Sequence, residues 1–142
     1  MPSRSPLPRR RQSYQFVGEE VMADFYGCAA DLNDPLLMRR VTTEAIARSG
    51  MTEIRTITFP FAPQGVDLVS ILAESSVIMH TYPEHKAVFL NVFTCGVGAR
   101  PLDALRYYVS ALEPKRLRCR VVSRGGKRPA NRHLQVRRIE VP

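Results

Sequence analysis

The stretch PQGVDLVSILAESSVIMHTYPEHKAVFLNVFTCG, residues 63–96, holds three apolar runs rich in β-branched side chains, at 66–73, 76–82 and 87–95. Runs of this length, divided by short polar breaks, read as neighbouring strands joined by hairpins, because the breaks leave no room for a crossover. In the middle run, alternation puts Ser75, Val77 and Met79 on one face and Ser76, Ile78 and His80 on the other, unless a turn at Glu74-Ser75 shifts the phase.

Upstream, residues 53–59 read as a further strand that ends in FPFAPQG (59–65), whose two prolines and glycine force a turn. Before it, Asp34 and Pro35 supply an N-cap and a first helical residue; Leu37, Val41, Ala45 and Arg48 follow one face, and Gly50 supplies the stop. Residues 14–26 alternate as a half-buried strand with a phase shift near Gly18. Downstream, Pro101 opens a second helix carrying Leu102, Leu105, Val109 and Leu112, which Pro114 closes. Residues 116–122 and 134–141 read as two more strands, joined by the loop SRGGKRPANR. Few helices among mostly hairpin-linked strands predict an α+β fold, a two-layer sandwich with helices on one face of an antiparallel sheet.

With 142 residues the chain suits one core. We expect a single domain over 14–142 preceded by a disordered basic arm, 1–13, rich in proline and arginine. The Arg-rich start lacks the apolar middle of a signal peptide and no run approaches a membrane span, so a cytoplasmic protein with no membrane contact is expected. Cys28, Cys95 and Cys119 show neither disulfide pairing nor metal-ligand spacing, and no metal is expected.

The formal charge of +8 raises nucleic acid as a partner, but the charge sits at the ends. Residues 13–114 carry twelve acidic against seven basic side chains, whereas 115–138 carry ten basic and none acidic. A nucleic-acid reading would rest on Arg118, Arg120, Arg124, Lys127, Arg128, Arg132, Arg137 and Arg138, with RGGK a weak RNA-binding element. A solvated basic edge is the better reading, since few aromatics accompany the cluster.

Taken alone, His80 reads as a hydrogen-bonded core histidine and Cys95 as a small buried residue. Together, ESSVIMHTYPE (74–84) and VFLNVFTCG (88–96), with FAPQGV (61–66) and VMADFYGC (21–28), resemble the signature of the prokaryotic S-adenosylmethionine decarboxylase proenzymes. The likeness runs from about Gly18 to Leu112. It implies a pyruvoyl-dependent enzyme that cleaves itself between Glu74 and Ser75, Ser75 becoming the covalent pyruvoyl cofactor. Such a carbonyl forms a Schiff base with the substrate amine and draws electrons from the carboxylate bond, a sink that no side chain provides. By the same resemblance His80 assists processing, Cys95 returns a proton to the α-carbon, Phe61 stacks on the adenine and Glu84 binds the ribose hydroxyls. A homodimer of cleaved protomers is implied, with sites completed across its interface.

The pattern is broken in places. The usual PQGVSG reads PQGVDL, so Asp67 replaces a serine that helps processing and Leu68 a glycine; Ser76 replaces a histidine, and Tyr82 stands where tryptophan is common. A carboxylate beside the centre needs a cationic partner, which the distal ammonium of ornithine or guanidinium of arginine would supply. Asp67 is therefore a candidate substrate-binding residue, and ornithine or arginine decarboxylation is the alternative to S-adenosylmethionine. A more distant alternative is a non-processing homologue that uses its basic tail for nucleic acid.

Overall fold

The computed structural model describes residues 14–126 and 136–141. The elements follow in the order β1 (Tyr14–Tyr26), α1 (Pro35–Arg48), β2 (Glu53–Pro60), β3 (Val66–Leu72), β4 (Ser75–Tyr82), β5 (Ala87–Gly96), α2 (Pro101–Leu112), β6 (Arg116–Gly125) and β7 (Val136–Val141). A short 3-10 turn, Pro83–His85, joins β4 to β5. The expected arm, 1–13, and most of the loop before β7 lie outside the described residues.

All strands form one antiparallel sheet in the order β2-β3-β4-β5-β1-β6-β7. β2 to β5 form consecutive hairpins, while β1 inserts between β5 and β6. The phase shift expected near Gly18 is a register irregularity between Tyr14 and Glu19 against β5. β6 continues to Gly125, past the expected Val122, because its last residues still pair with β1 as far as Val17.

Both helices cover one face. Asp34 accepts hydrogen bonds from the Leu36 and Leu37 amides, which satisfies donors that the first helical turn leaves free. The face α1 buries is Met38, Val41, Thr42, Ala45 and Ile46, a rotation from the expected stripe: Leu37 is only half-buried and Arg48 is exposed, its guanidinium over the Tyr107 ring. α2 buries Ala104, Leu105, Tyr108 and Leu112, with Leu102 and Val109 at the margin. Tyr108 is fully buried and donates to Thr42 Oγ1 at 2.8 Å, which joins the two helices, and burial drives its phenol above the ordinary range. Against them pack Val21, Ala23, Phe25, Leu68, Val77, Met79, Leu90, Val92 and Val121. Each Val, Leu, Met or Phe among them contributes about 1.5–3 kcal/mol by leaving water.

Among the described residues no helix covers the other face. By register it carries Ile57 and Phe59 on β2, Asp67, Val69 and Ile71 on β3, and Ser76, Ile78 and His80 on β4, then Phe89, Asn91 and Phe93 on β5. Ile57, Phe59, Val69, Ile71 and Phe89 are each at least 40% exposed, which makes an apolar patch on the β2–β5 half. The β1–β6 half is charged: Arg124 pairs with Glu20 at 3.0 Å and lies over Phe93, and Arg118 stands opposite Asp24. Arg118 and Arg124 of the basic cluster therefore meet acidic neighbours on their own sheet, whereas Arg120 stands opposite Met22 and Arg138.

Candidate active site

The tip between β3 and β4 consists of Ala73 and Glu74, so Ser75 is the first residue of β4. Although charged, Glu74 is only 3% exposed. Its carboxylate accepts from the Thr52 amide at 2.9 Å and the Thr52 hydroxyl at 3.1 Å, the pairing that a buried carboxylate requires. The Ala73 amide donates to the Thr52 carbonyl at 2.9 Å, so the tip is clamped on both sides by the residue just ahead of β2.

The end of β5 closes on the same tip. The Cys95 thiol donates to the Glu74 carbonyl oxygen at 3.0 Å, and the Cys95 amide donates to the same oxygen at 3.3 Å. Ser75 Oγ lies 3.8 Å from Cys95 Sγ. Two donors thus polarise the carbonyl of the Glu74-Ser75 peptide, and a hydroxyl and a thiol meet beside it. Such an arrangement suits attack on that carbonyl, since charge developing on its oxygen already has donors in place. Gly96 makes the approach possible: a Cβ there would stand 2.6 Å from Glu74 Cγ.

His80 is elsewhere. Five residues along an extended strand is roughly 16 Å, and the odd spacing puts His80 on the open face, whereas Ser75 pairs with Thr94 in the helix-facing row. There His80 Nδ1 lies 2.8 Å from Asp67 Oδ1, the two residues being register partners on β4 and β3. The distal ammonium or guanidinium envisaged for Asp67 is thus not its partner within the chain; an imidazole is.

Phe61 and Glu84 lie at that end of the sheet. Phe61 follows β2, is 48% exposed, meets Phe59 edge-on at 5.0 Å and donates its amide to the Gly65 carbonyl at 2.8 Å. Glu84 is exposed on the 3-10 turn. Asn33 and Thr81 anchor the turn between β2 and β3 from below, through Asn33 Oδ1 to the Gly65 amide at 2.9 Å and Thr81 Oγ1 to the Val66 amide at 2.8 Å. The seven residues singled out in the sequence therefore fall into two groups. Glu74, Ser75 and Cys95 gather at one end, and Phe61, Asp67, His80 and Glu84 lie toward the other.

Thr52 and Gly96 are the residues holding this tip that sequence reasoning missed. Gly96 stands inside the TCG motif, but only the packing shows what its missing side chain admits; nothing in the sequence marked Thr52.

The family model described as S-adenosylmethionine decarboxylase matches residues 19–125. An S-adenosylmethionine decarboxylase proenzyme of Acetivibrio thermocellus is 36% identical over 111 residues, covering 77% of this chain and 89% of the relative. One from Aquifex aeolicus is 34% identical over 110 residues, covering 77% and 82%. The crystal structure of the adenosylmethionine decarboxylase from Aquifex aeolicus superposes with a TM-score of 0.72 at 32% identity, over 83% of this chain and 99% of that one.

Proposed function

The chain belongs to the S-adenosylmethionine decarboxylase family, and from that premise we propose that it is a self-processing enzyme that converts S-adenosylmethionine to carbon dioxide and decarboxylated S-adenosylmethionine, the aminopropyl donor of spermidine synthesis. The observation that carries this reading is the Glu74-Ser75 peptide, with its carbonyl held by both Cys95 donors and the Cys95 thiol beside Ser75 Oγ.

Ser75 Oγ adds to the Glu74 carbonyl carbon, and the amide bond to the Ser75 nitrogen breaks as the ester forms. The Cys95 amide and thiol hold the oxygen on which charge collects. β-Elimination then releases residues 1–74 with a new carboxylate, and the former Ser75 nitrogen leaves as ammonia when water supplies the ketone oxygen. Residue 75, at the start of a paired strand beside a thiol, fits the pyruvoyl group. When formed, that carbonyl supplies the electron sink for decarboxylation. Cys95 Sγ is the group placed to hold a proton for the substrate α-carbon. Phe61 offers a ring face to the adenine, and Glu84 a carboxylate to the ribose hydroxyls.

A protomer cannot bring His80 to its own Ser75. We place the working site between two copies packed through their open sheet faces, strands running opposite ways, so that the end bearing His80, Phe61 and Glu84 lies over the partner's strand ends where Ser75 opens β4 and Cys95 closes β5. The exposed apolar row of Ile57, Phe59, Val69, Ile71 and Phe89 is the surface such packing would cover. The proposed location is the cytoplasm; no helix among the described residues is long and apolar enough to cross a membrane.

Neither the matched family nor the relatives support ornithine or arginine as substrate. Intact mass of the purified protein, with carbon dioxide release from S-adenosylmethionine, ornithine and arginine, tests the proposal. Two fragments split at Ser75, release from S-adenosylmethionine, and a whole inert chain in Ser75→Ala are expected. A whole wild-type chain inert toward all three compounds would overturn it.

A further inference from the structure

We propose that Asp67 is a positioning residue for His80, which fixes the imidazole with its proton on Nδ1 and its lone pair on Nε2, rather than a residue that binds substrate. The proposal rests on the assignment of His80 to self-processing made above.

Asp67 and His80 are direct register partners in the middle of β3 and β4, and Asp67 Oδ1 lies 2.8 Å from His80 Nδ1. A carboxylate can only accept, so in the neutral imidazole that contact requires the proton on Nδ1 and leaves Nε2 as the basic nitrogen. The pair sits between two aromatic residues in one cross-strand row. Phe59 stands opposite Asp67 on β2, and Phe89 stands opposite His80 on β5. Phe89 is itself braced by Tyr82, ring centres 5.0 Å apart.

Among the described residues Nε2 makes no hydrogen bond, and the side chain is 42% exposed on a face with no helix over it. The lone pair is therefore free for a group that arrives from outside the protomer, which is what a site shared between two copies demands. Asp67 is 37% exposed at its side chain and commits the oxygen nearer the ring to His80. A histidine whose tautomer is set by a carboxylate is a competent proton acceptor at the other nitrogen, whereas an unheld ring divides its population between two tautomers and several orientations.

The test joins a spectrum to a rate. In the full-length Ser75→Ala chain, which stays whole, the ring 15N resonances of His80 report its tautomer; in otherwise wild-type chains, intact mass against time after synthesis reports cleavage. We expect an Nδ1-protonated ring when Asp67 is present. In Asp67→Ala the resonances should move toward Nε2 protonation and cleavage should slow by about 10²-fold, the lower end of what a positioned proton-transfer group provides. Asp67→Asn, of the same shape but able to donate, should shift resonances and rate together. If Asp67→Ala cleaves at the wild-type rate, or the His80 resonances do not move, the inference is overturned. Unchanged cleavage with a raised KM for S-adenosylmethionine would overturn it in favour of a substrate contact. A wild-type chain that never cleaves overturns the function proposed above and this inference with it, whereas equal cleavage of wild type and Asp67→Ala overturns the inference alone.

Discussion

The sulfur of Cys95 stands 3.0 Å from the carbonyl oxygen of Glu74. Twenty-one residues separate them, yet the end of β5 and the tip between β3 and β4 bring one thiol to the one peptide bond that the family reading would cut. On the proposed reading the same thiol would be a donor to the bond before cleavage and a neighbour of the new terminus after it.

These two duties separate in Cys95→Ala. The backbone amide of residue 95 still donates to the Glu74 carbonyl, so cleavage should slow several-fold without stopping. Carbon dioxide release per cleaved chain should fall by about 10²-fold or more, since the proton held for the α-carbon is gone. Cleavage measured by mass and turnover measured on the cleaved fraction check this; slowed cleavage with unchanged turnover on the cleaved fraction would tie the thiol to processing alone.

Gly96→Ala tests the close approach at the tip. A methyl group there would meet Glu74 Cγ at 2.6 Å, Glu74 Cβ at 3.2 Å and the Ala99 methyl at 3.3 Å. Since Glu74 is held by Thr52, it cannot simply swing away. Overpacking of this kind costs about 1–3 kcal/mol. A lower urea midpoint and slower cleavage should appear together.

The proposed division of the site between copies predicts complementation. Ser75→Ala and His80→Ala chains should each stay whole when made alone. Made together, mixed dimers would pair an intact Ser75 with an intact partner histidine, and the His80→Ala chain should then be cut. Mass spectrometry of the co-expressed chains reads this directly, and cleavage of neither chain would count against the shared site.

Two thiols give the protein a pH dependence of known sign. Burial raises Cys28 from its ordinary value of 9.0 to about 11, and Cys119 likewise, with a smaller contribution there from the Asp24 charge. The unfolded chain releases these protons near pH 9 while the folded chain keeps them to about 11, so stability should fall as pH rises through that window. Urea unfolding at pH 8 and pH 11 should show the loss, and a Cys28→Ala/Cys119→Ala chain should show less of it.

The elements were legible because each is a local matter. Asp34-Pro35 and Pro101 start helices by capping and by fixed φ, and the β-branched runs of 66–95 leave little but strands. The helix faces were less legible: the expected stripe through Leu37 and Arg48 gave way to Met38, Thr42 and Ile46, because the sheet and Tyr108 decide which side is covered. The insertion of β1 between β5 and β6 has no local signal, since long connections through α1 and α2 leave the strand order open. At the site, the motif pointed to Ser75, His80 and Cys95. Alternation along one strand already set His80 on the face opposite Ser75, but that Asp67 faces His80 could not be read, because it follows from the pairing of β3 with β4.

The central place of β1 bears on what a cut between Glu74 and Ser75 would leave. One piece would own β1, β2, β3 and α1; the other β4 to β7 and α2. Across the sheet the pieces alternate: β2-β3 from the first, β4-β5 from the second, β1 from the first, β6-β7 from the second. They are laced together like the fingers of two hands. Three separate ladders would have to open before either piece could drift free, so severing the backbone in mid-sheet need not loosen the body that holds the new terminus.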